Sequence, residues 1–488
     1  MNIGLVIFGV YLLIMVGIGI FAAKLQKSTA AYWVADRGFG VPVLAIAILV
    51  SIMHGGTIIG GTGAIAARGA TTLNNLSFAL GFMVVLFFMA RKLRRFGGFT
   101  LPDFLGDRFE SHNFRVFSAF VVLVSAVVSL VAQTKAMSVV VMQLSGLSLT
   151  TSLILATAIF VFYTSIGGMM AAVWTDIAQW LFMVVGLGAL AYVLWPVVGG
   201  LSGMADKLNV AAPGWTSIMG TGWSPMGLFT WHLVWFIAYF TRIEFVTKVY
   251  SARDEATAEK SVAWGLLLIL VFFSITVFFG GAARLLVWDG LKSPDQAFPT
   301  LIAKYLSPFW QAMALAGVAS AAMSTVSSLL LLSGAAIAHD FLRKYYFEPR
   351  GIQKSEEYYL RVSKITLLAV GVLAAVGAYY TPTLILTIVS YAVALTGAAF
   401  AMPILLGLVW RRTSPKGAYV ASVAGFVLSG VWAIFTEMGF AWAKNIHPIF
   451  PGLVASIVLI VVVTLHTPPA SEKTLEIFFP TKPRQLEN

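Results

Sequence analysis

Ala319-Ser320-Ala321-Ala322-Met323-Ser324-Thr325-Val326-Ser327-Ser328 carries five hydroxyls in ten residues. It lies inside an apolar run from Phe309 to Leu332 that is long enough to cross a bilayer. Hydrocarbon offers no water, so these hydroxyls need partners inside the protein. On a helix Ser324 follows Ser320 by four residues, and Ser327 and Ser328 follow Ser324 by three and four, so the four serines share one face. Two readings compete. A hydroxyl stripe among Ala and Met lines an oxygen-rich pocket suited to a hard cation. Alternatively, small residues let two membrane helices approach closely, with each Ser bonded back to the preceding turn. For an isolated stretch close packing is the commoner outcome, and the rest of the chain decides.

Of the 488 residues, 59% are hydrophobic and 11% charged, and the mean hydropathy is +0.89. This is the composition of an all-α polytopic membrane protein, not of a pair of soluble domains. The net charge of +12 raises nucleic acid as a partner. The basic residues, however, sit in short loops between apolar runs and form no continuous stripe, which argues against that partner. The chain has no cysteine, which removes disulfides, thiol catalysis and thiolate metal sites. The first apolar run starts at Ile3 and is followed by a basic loop without a small-residue cleavage site, so it is expected to be a retained transmembrane helix.

Apolar runs between polar punctuation predict 13 spans, near 3–23, 41–66, 74–90, 116–145, 150–173, 177–198, 225–248, 261–284, 298–338, 362–380, 383–410, 416–437 and 447–466. The runs at 116–145 and 298–338 exceed one bilayer thickness and should include an interfacial portion or a bend. With the amino terminus outside, 24 of the 32 Lys and Arg fall on the cytoplasmic side, Lys27, Lys248, Lys482 and Arg484 among them, and six fall outside. That bias predicts a multi-pass protein of the cell membrane with a cytoplasmic carboxyl-terminal tail. Two cations, Lys135 and Arg242, remain within the membrane. Six tryptophans, at 174, 180, 231, 235, 410 and 442, read mostly as interfacial anchors.

The second span contains Gly55-Gly56, Gly60-Gly61 and Gly63. So much glycine marks either a close-packing face or an unwound helix whose free carbonyls bind ions and solute. The same glycines resemble a phosphate-binding loop only in composition, and they lie in a membrane span. No nucleophile elbow or metalloprotease pattern occurs, and no catalytic residue is expected.

After Phe160 the chain reads Tyr163-Thr164-Ser165-Ile166-Gly167-Gly168, then Thr175-Asp176 and Gln179. This resembles the Tyr-Thr-x-x-Gly-Gly, Thr-Asp, Gln signature of the sodium:solute symporter family. Thr100-Leu101-Pro102-Asp103-Phe104-Leu105, with Arg108-Phe109, is similar to that family's Thr-Leu-Pro-Glu-Phe-Leu segment. Gly40-Val41-Pro42, Ala321-x-x-Ser324-Thr325 and Trp410-Arg411-Arg412 agree in order. The resemblance covers nearly the whole chain and implies a leucine-transporter-like core of two inverted five-helix repeats. The implied layout is a peripheral first helix and loop at 1–40, a first repeat at 41–198, an extracellular loop at 199–224, a second repeat at 225–412, two peripheral helices at 413–466 and a tail at 467–488.

The resemblance also implies a main sodium site formed by the carbonyls of Val50, Met53 and Ala321 and the hydroxyls of Ser324 and Thr325. Oxygen-only ligation suits a hard monovalent ion. Some family members carry a second sodium, and the matching residues here are Asp176, Ser324, Ser327 and Ser328. The plainer reading of Asp176 is an interfacial helix-start residue beside Thr175, stabilised by the helix dipole. For the solute, Thr57 and Gln133 occupy positions where relatives make contact, His54 adjoins the glycine break, and Arg242 and Lys135 are charged at membrane depth. Structural readings compete here too: core hydrogen bonding for His54, snorkelling for Lys135, and a snorkelling pair for Arg242 and Glu244, with Glu244 also four residues before Lys248.

The function expected is a sodium-coupled secondary symporter that imports a small organic solute by alternating access. An organic anion or amino acid is preferred over a neutral sugar because of the two intramembrane cations. Two alternatives stay open: a proton-coupled or uncoupled transporter in which Asp176 or Glu244 replaces the ion, and a transporter-like membrane sensor. The expected partners are the solute, sodium and the lipid bilayer; no obligate protein partner is evident.

Overall fold

A chain segment in hydrocarbon must satisfy its own backbone, and the apolar runs do so as helices. The computed structural model describes residues 3–24, 32–33, 37–73 and 75–479; Lys27, Lys482 and Arg484, counted above among the loop cations, lie outside the described residues. The first helices are α1 (Ile3–Ala23), α2 (Val41–Ile52), α3 (Gly61–Arg68), α4 (Asn75–Val84), α5 (Ala90–Phe96) and α6 (Leu101–Arg108). They are followed by α7 (His112–Ser145), α8 (Leu149–Val198), α9 (Gly200–Ala211), α10 (Pro225–Thr241), α11 (Ile243–Tyr250), α12 (Glu255–Leu286) and α13 (Ala297–Tyr305). The last are α14 (Pro308–Ala335), α15 (Glu356–Tyr380), α16 (Ile385–Val409), α17 (Pro415–Glu437), α18 (Ala441–Lys444), α19 (Ile449–His466) and α20 (Glu472–Phe478). Among the described residues the only β-type pairing is an isolated bridge between Phe39 and Ala252.

Among the described residues ten helices are long and apolar enough to cross a membrane, or 11 when the bent pair in the second span counts as one. The expected 13 is therefore not reached on length; the apolar stretch Leu149–Ser165 is one that falls short, and α10 has only 17 residues. Helix starts follow local chemistry. Ser148, Ser224, Ser355 and Ser414 each accept the backbone N–H three residues on, filling one of the donors that a helix start leaves open. The long run at 298–338 resolves into the short helix α13, a turn, and α14.

Three interruptions shape the molecule. In the second span α2 stops at Ile52, and the chain resumes through a π-turn at Gly56–Gly60 into α3, bent by 53°. Between α10 and α11, Arg242 is extended (φ −68, ψ 119). Within α8 the break is at Gly168 (φ 55, ψ −160), a conformation that a side chain disfavours. The corner was expected between 173 and 177, so the sequence reading places it too late. Asp176 consequently lies about two turns inside the second segment of α8, and it is not a helix-start residue.

α14 is the central helix; every residue in its most apolar stretch is buried by protein. It packs against α8 through close backbone approaches. A Cβ on Gly186 would fall 2.5 Å from the Met313 carbonyl, and one on Gly317 would fall 3.0 Å from the Phe182 carbonyl. Of the expected interfacial tryptophans, Trp174 and Trp442 are exposed, whereas Trp231 and Trp235 are buried, Trp231 donating its indole N–H to the Thr72 carbonyl at 2.9 Å.

The α8–α14 approach makes a direct prediction. Gly186→Val should destabilise the purified protein by about 1–3 kcal/mol through overpacking, seen as a lower thermal midpoint in detergent. Gly188→Val, where nothing lies within 4 Å of an added Cβ, should leave the midpoint near wild type; equal losses would contradict the packing described.

Candidate functional site

α2 ends in the middle of the protein, so its last carbonyls lack the amides that a continuing helix supplies. Side-chain hydroxyls fill part of the gap. Thr325 on α14 donates its Oγ1 hydrogen to the Ser51 carbonyl at 3.1 Å and lies 3.4 Å from the Ala321 carbonyl. Thr57, beyond the break, donates to the Ile52 carbonyl at 3.1 Å. Val50 and Met53 flank these two accepting carbonyls, and Val50, Met53, Ala321, Ser324 and Thr325 are all buried. The structure thus brings the broken end of α2 against Ala321 and Thr325. The oxygens there are neutral hydroxyls and carbonyls, a set suited to a hard monovalent cation.

Ser324 points elsewhere. Its hydroxyl donates to Asp176 Oδ1 at 2.5 Å. The other Asp176 oxygen accepts from Lys248 Nζ at 2.7 Å, and neither charged side chain reaches solvent. Ser327 donates to the Met323 carbonyl of its own helix at 2.9 Å and accepts from Thr164 at 3.4 Å. Ser328 Oγ is buried without a hydrogen-bond partner. Ser320 donates to the Tyr11 hydroxyl on α1 at 3.0 Å.

Lys248 is the residue that the sequence reading missed. It was counted as a loop cation with Glu244 as its neighbour, yet it is fully buried on α11. Glu244 pairs with Arg242, the pairing weighed from the sequence, with Arg242 Nε donating to Oε1 at 2.6 Å, but both are buried and neither snorkels. The available signal was a lone carboxylate, Asp176, at membrane depth, which requires a partner; nothing in the sequence said which cation it was.

The solute candidates separate in space. His54 Nδ1 accepts from the Thr57 amide at 3.1 Å, so these two satisfy one another at the break. Gln133 on α7 is buried with neither side-chain polar atom hydrogen-bonded, and its Oε1 would lie 3.3 Å from a Cβ on Gly55. Lys135 donates to the Thr383 carbonyl at 2.6 Å, in the turn between α15 and α16. Arg242 and Glu244 line a cavity of about 20 Å³ with Ser125, Ser129, Val389 and Thr396, which has room for about one water.

At one end of the bundle a second polar knot ties α6 to the π-helical turns Ala336–Phe347 that continue α14. Asp103 closes a capping box with Thr100, accepts from the Phe99 amide at 3.0 Å, pairs with Arg115 and lies 3.2 Å from His339 Nε2. Thr100 in turn donates to Asp340 at 2.9 Å. Burial by itself would raise the Asp103 carboxyl, but the charges of His339 and Arg115 and these hydrogen bonds hold it below the ordinary carboxylate range.

Three comparisons bear on this geometry. The sodium:solute symporter family profile matches residues 32–425. The osmoregulated proline transporter OpuE of Bacillus subtilis (strain 168) is 25% identical over 481 residues, covering 96% of each chain. The sodium/pantothenate symporter of Escherichia coli (strain K12) is 28% identical over 471 residues, covering 93% of this chain and 94% of that protein. Among solved structures, the substrate-bound outward-open state of a Na+-coupled sialic acid symporter superposes with a TM-score of 0.80 at 16% identity, covering 96% of this chain and 99% of the other. Mhp1, a nucleobase-cation-symport-1 family transporter, gives 0.60 at 16% identity over 93% of this chain and 98% of the other. These relatives are named as transporters, not enzymes, and the match of the family profile across most of the chain, on a helical frame shared with solved symporters, identifies the protein as a member of the sodium:solute symporter family.

Proposed function

We propose that the chain imports a small organic solute together with sodium, by alternating access across the cell membrane. The observation that carries the reading is the contact of the Thr325 hydroxyl with the Ser51 carbonyl at the end of α2. That contact sets the broken end of α2 against α14, and the oxygens proposed for the ion are the carbonyls of Val50, Met53 and Ala321 and the hydroxyls of Thr325 and Ser324, the last shared with Asp176. Sodium there bridges a broken helix and α14, so it favours whichever conformation holds them together. Coupling then requires that sodium and solute prefer the same conformation, each raising the other's affinity by the same factor.

Arg242 and Lys135 lend little to an anionic solute, because Glu244 neutralises one and backbone carbonyls hold the other. A carboxylate-bearing solute is supported instead by the relatives, whose named substrates, proline and pantothenate, each carry one carboxylate. Gln133, His54 and Thr57 are the solute-facing groups proposed, since they surround the break, and the unpartnered amide of Gln133 needs a ligand. The cavity beside Arg242 is too small for such a solute, so entry requires the helices around it to part. The two repeats proposed at 41–198 and 225–412 each begin with a broken helix, α2–α3 and α10–α11. The excess of Lys and Arg in alternate loops supports an external amino terminus and a cytoplasmic carboxyl terminus.

Two outcomes are expected in proteoliposomes. An inward sodium gradient should drive uptake from a panel of labelled amino acids and small carboxylates, and a pH gradient at equal sodium should not; the reverse pattern would overturn sodium coupling. Thr325→Val should raise the sodium concentration for half-maximal uptake about tenfold, the equivalent of about 1.4 kcal/mol. Lys135→Met, whose side chain sits in the α15–α16 turn, should leave that value in place.

A further inference from the structure

The residues matched to a second sodium do not form an open oxygen cage. Both carboxylate oxygens of Asp176 are engaged, one by Ser324 and one by the ammonium of Lys248 at 2.7 Å. Ser327 is turned into its own helix, and Ser328 is the one hydroxyl of the set left without a partner. Every one of these side chains is buried. A sodium placed against Asp176 would therefore share one carboxylate with an ammonium, and the second positive charge would have no counter-charge in a medium that screens it poorly.

We infer that Lys248 is a resident cation: its ammonium fills the position beside Asp176 that a second sodium would take, so each solute travels with a single sodium. This rests on the sodium-coupled reading above and fixes its stoichiometry. The placement of Lys248 gives the substitution mechanical sense. It stands on α11, the segment beyond the break at Arg242, and Asp176 and Ser324 stand on α8 and α14. A diffusible ion would join these helices only while bound. A tethered one joins them whenever the bundle is closed, without competing for sodium from solution.

The test is the sodium dependence and the charge of solute uptake in proteoliposomes. For the wild type the Hill coefficient for sodium should be about 1, and the reversal potential should report about one sodium per solute, given a solute of known charge. Lys248→Ala removes the ammonium and leaves Asp176 exposed to the ion path. Its Hill coefficient should rise toward about 2, with uptake requiring more sodium. Adding Asp176→Asn to that variant should return the coefficient to near 1. A merely structural ion pair would lower the amount of active protein without changing the coefficient. If Lys248→Ala does not fold, the wild-type measurement still decides: two sodium ions per solute overturns the resident cation and leaves sodium coupling standing. Uptake indifferent to sodium in the wild type overturns both.

Discussion

Asp176 and Lys248 meet at 2.7 Å with neither side chain reaching solvent, and the helices that carry them must be positioned to keep that contact. A charged residue at the centre of a membrane helix costs about 2.5–3.5 kcal/mol on insertion scales, so neither side chain is stable there alone. Removing one partner of a buried pair costs about 3–5 kcal/mol, because the other is left uncompensated. The pair therefore says more about which arrangement the bundle can adopt than about net stability. It fixes α11 against α8, and Ser324 extends the contact to α14. Arg242 and Glu244 follow the same logic within one turn of the break, where two charges cancel locally.

The hydroxyl stripe of α14 connects this pair to the rest of the site. Ser320 reaches Tyr11 on α1, Ser324 reaches Asp176 on α8, Thr325 reaches the Ser51 carbonyl of α2, and Ser327 receives Thr164 from the first segment of α8. One helix thus distributes its polar groups among three neighbours. It packs closely, and at Thr325 it also presents oxygen to the broken end of α2. The close approach depends on glycine at Gly317 and Gly186, where backbone and backbone nearly touch. Such packing supplies the rigidity against which a broken helix can move.

Much of this was legible in the sequence, for identifiable reasons. Hydropathy revealed a polytopic helical protein because lipid leaves the backbone few options. Glycine density at 55–63 marked the second span, and the structure breaks it there. The corner of α8 was misplaced because hydropathy sees Thr175-Asp176 as a polar gap, whereas the backbone turns where Gly168 permits a positive φ. Lys248 was invisible for a different reason. Its partner is 72 residues away, and a rule that counts loop cations cannot tell a solvated lysine from one folded inward. For Arg242 an anion site and a local pair with Glu244, two residues on, stood as competing readings, and the burial of both side chains in one ion pair favours the pair.

The central claim is that sodium binds where Thr325 meets the end of α2, and that Lys248 occupies the second position. Equilibrium binding of radioactive sodium to the purified, solute-free protein tests it most directly. The account predicts about one sodium bound per chain, with the affinity lowered about tenfold in Thr325→Val. Two bound sodium ions, or undiminished binding in that variant, would contradict it.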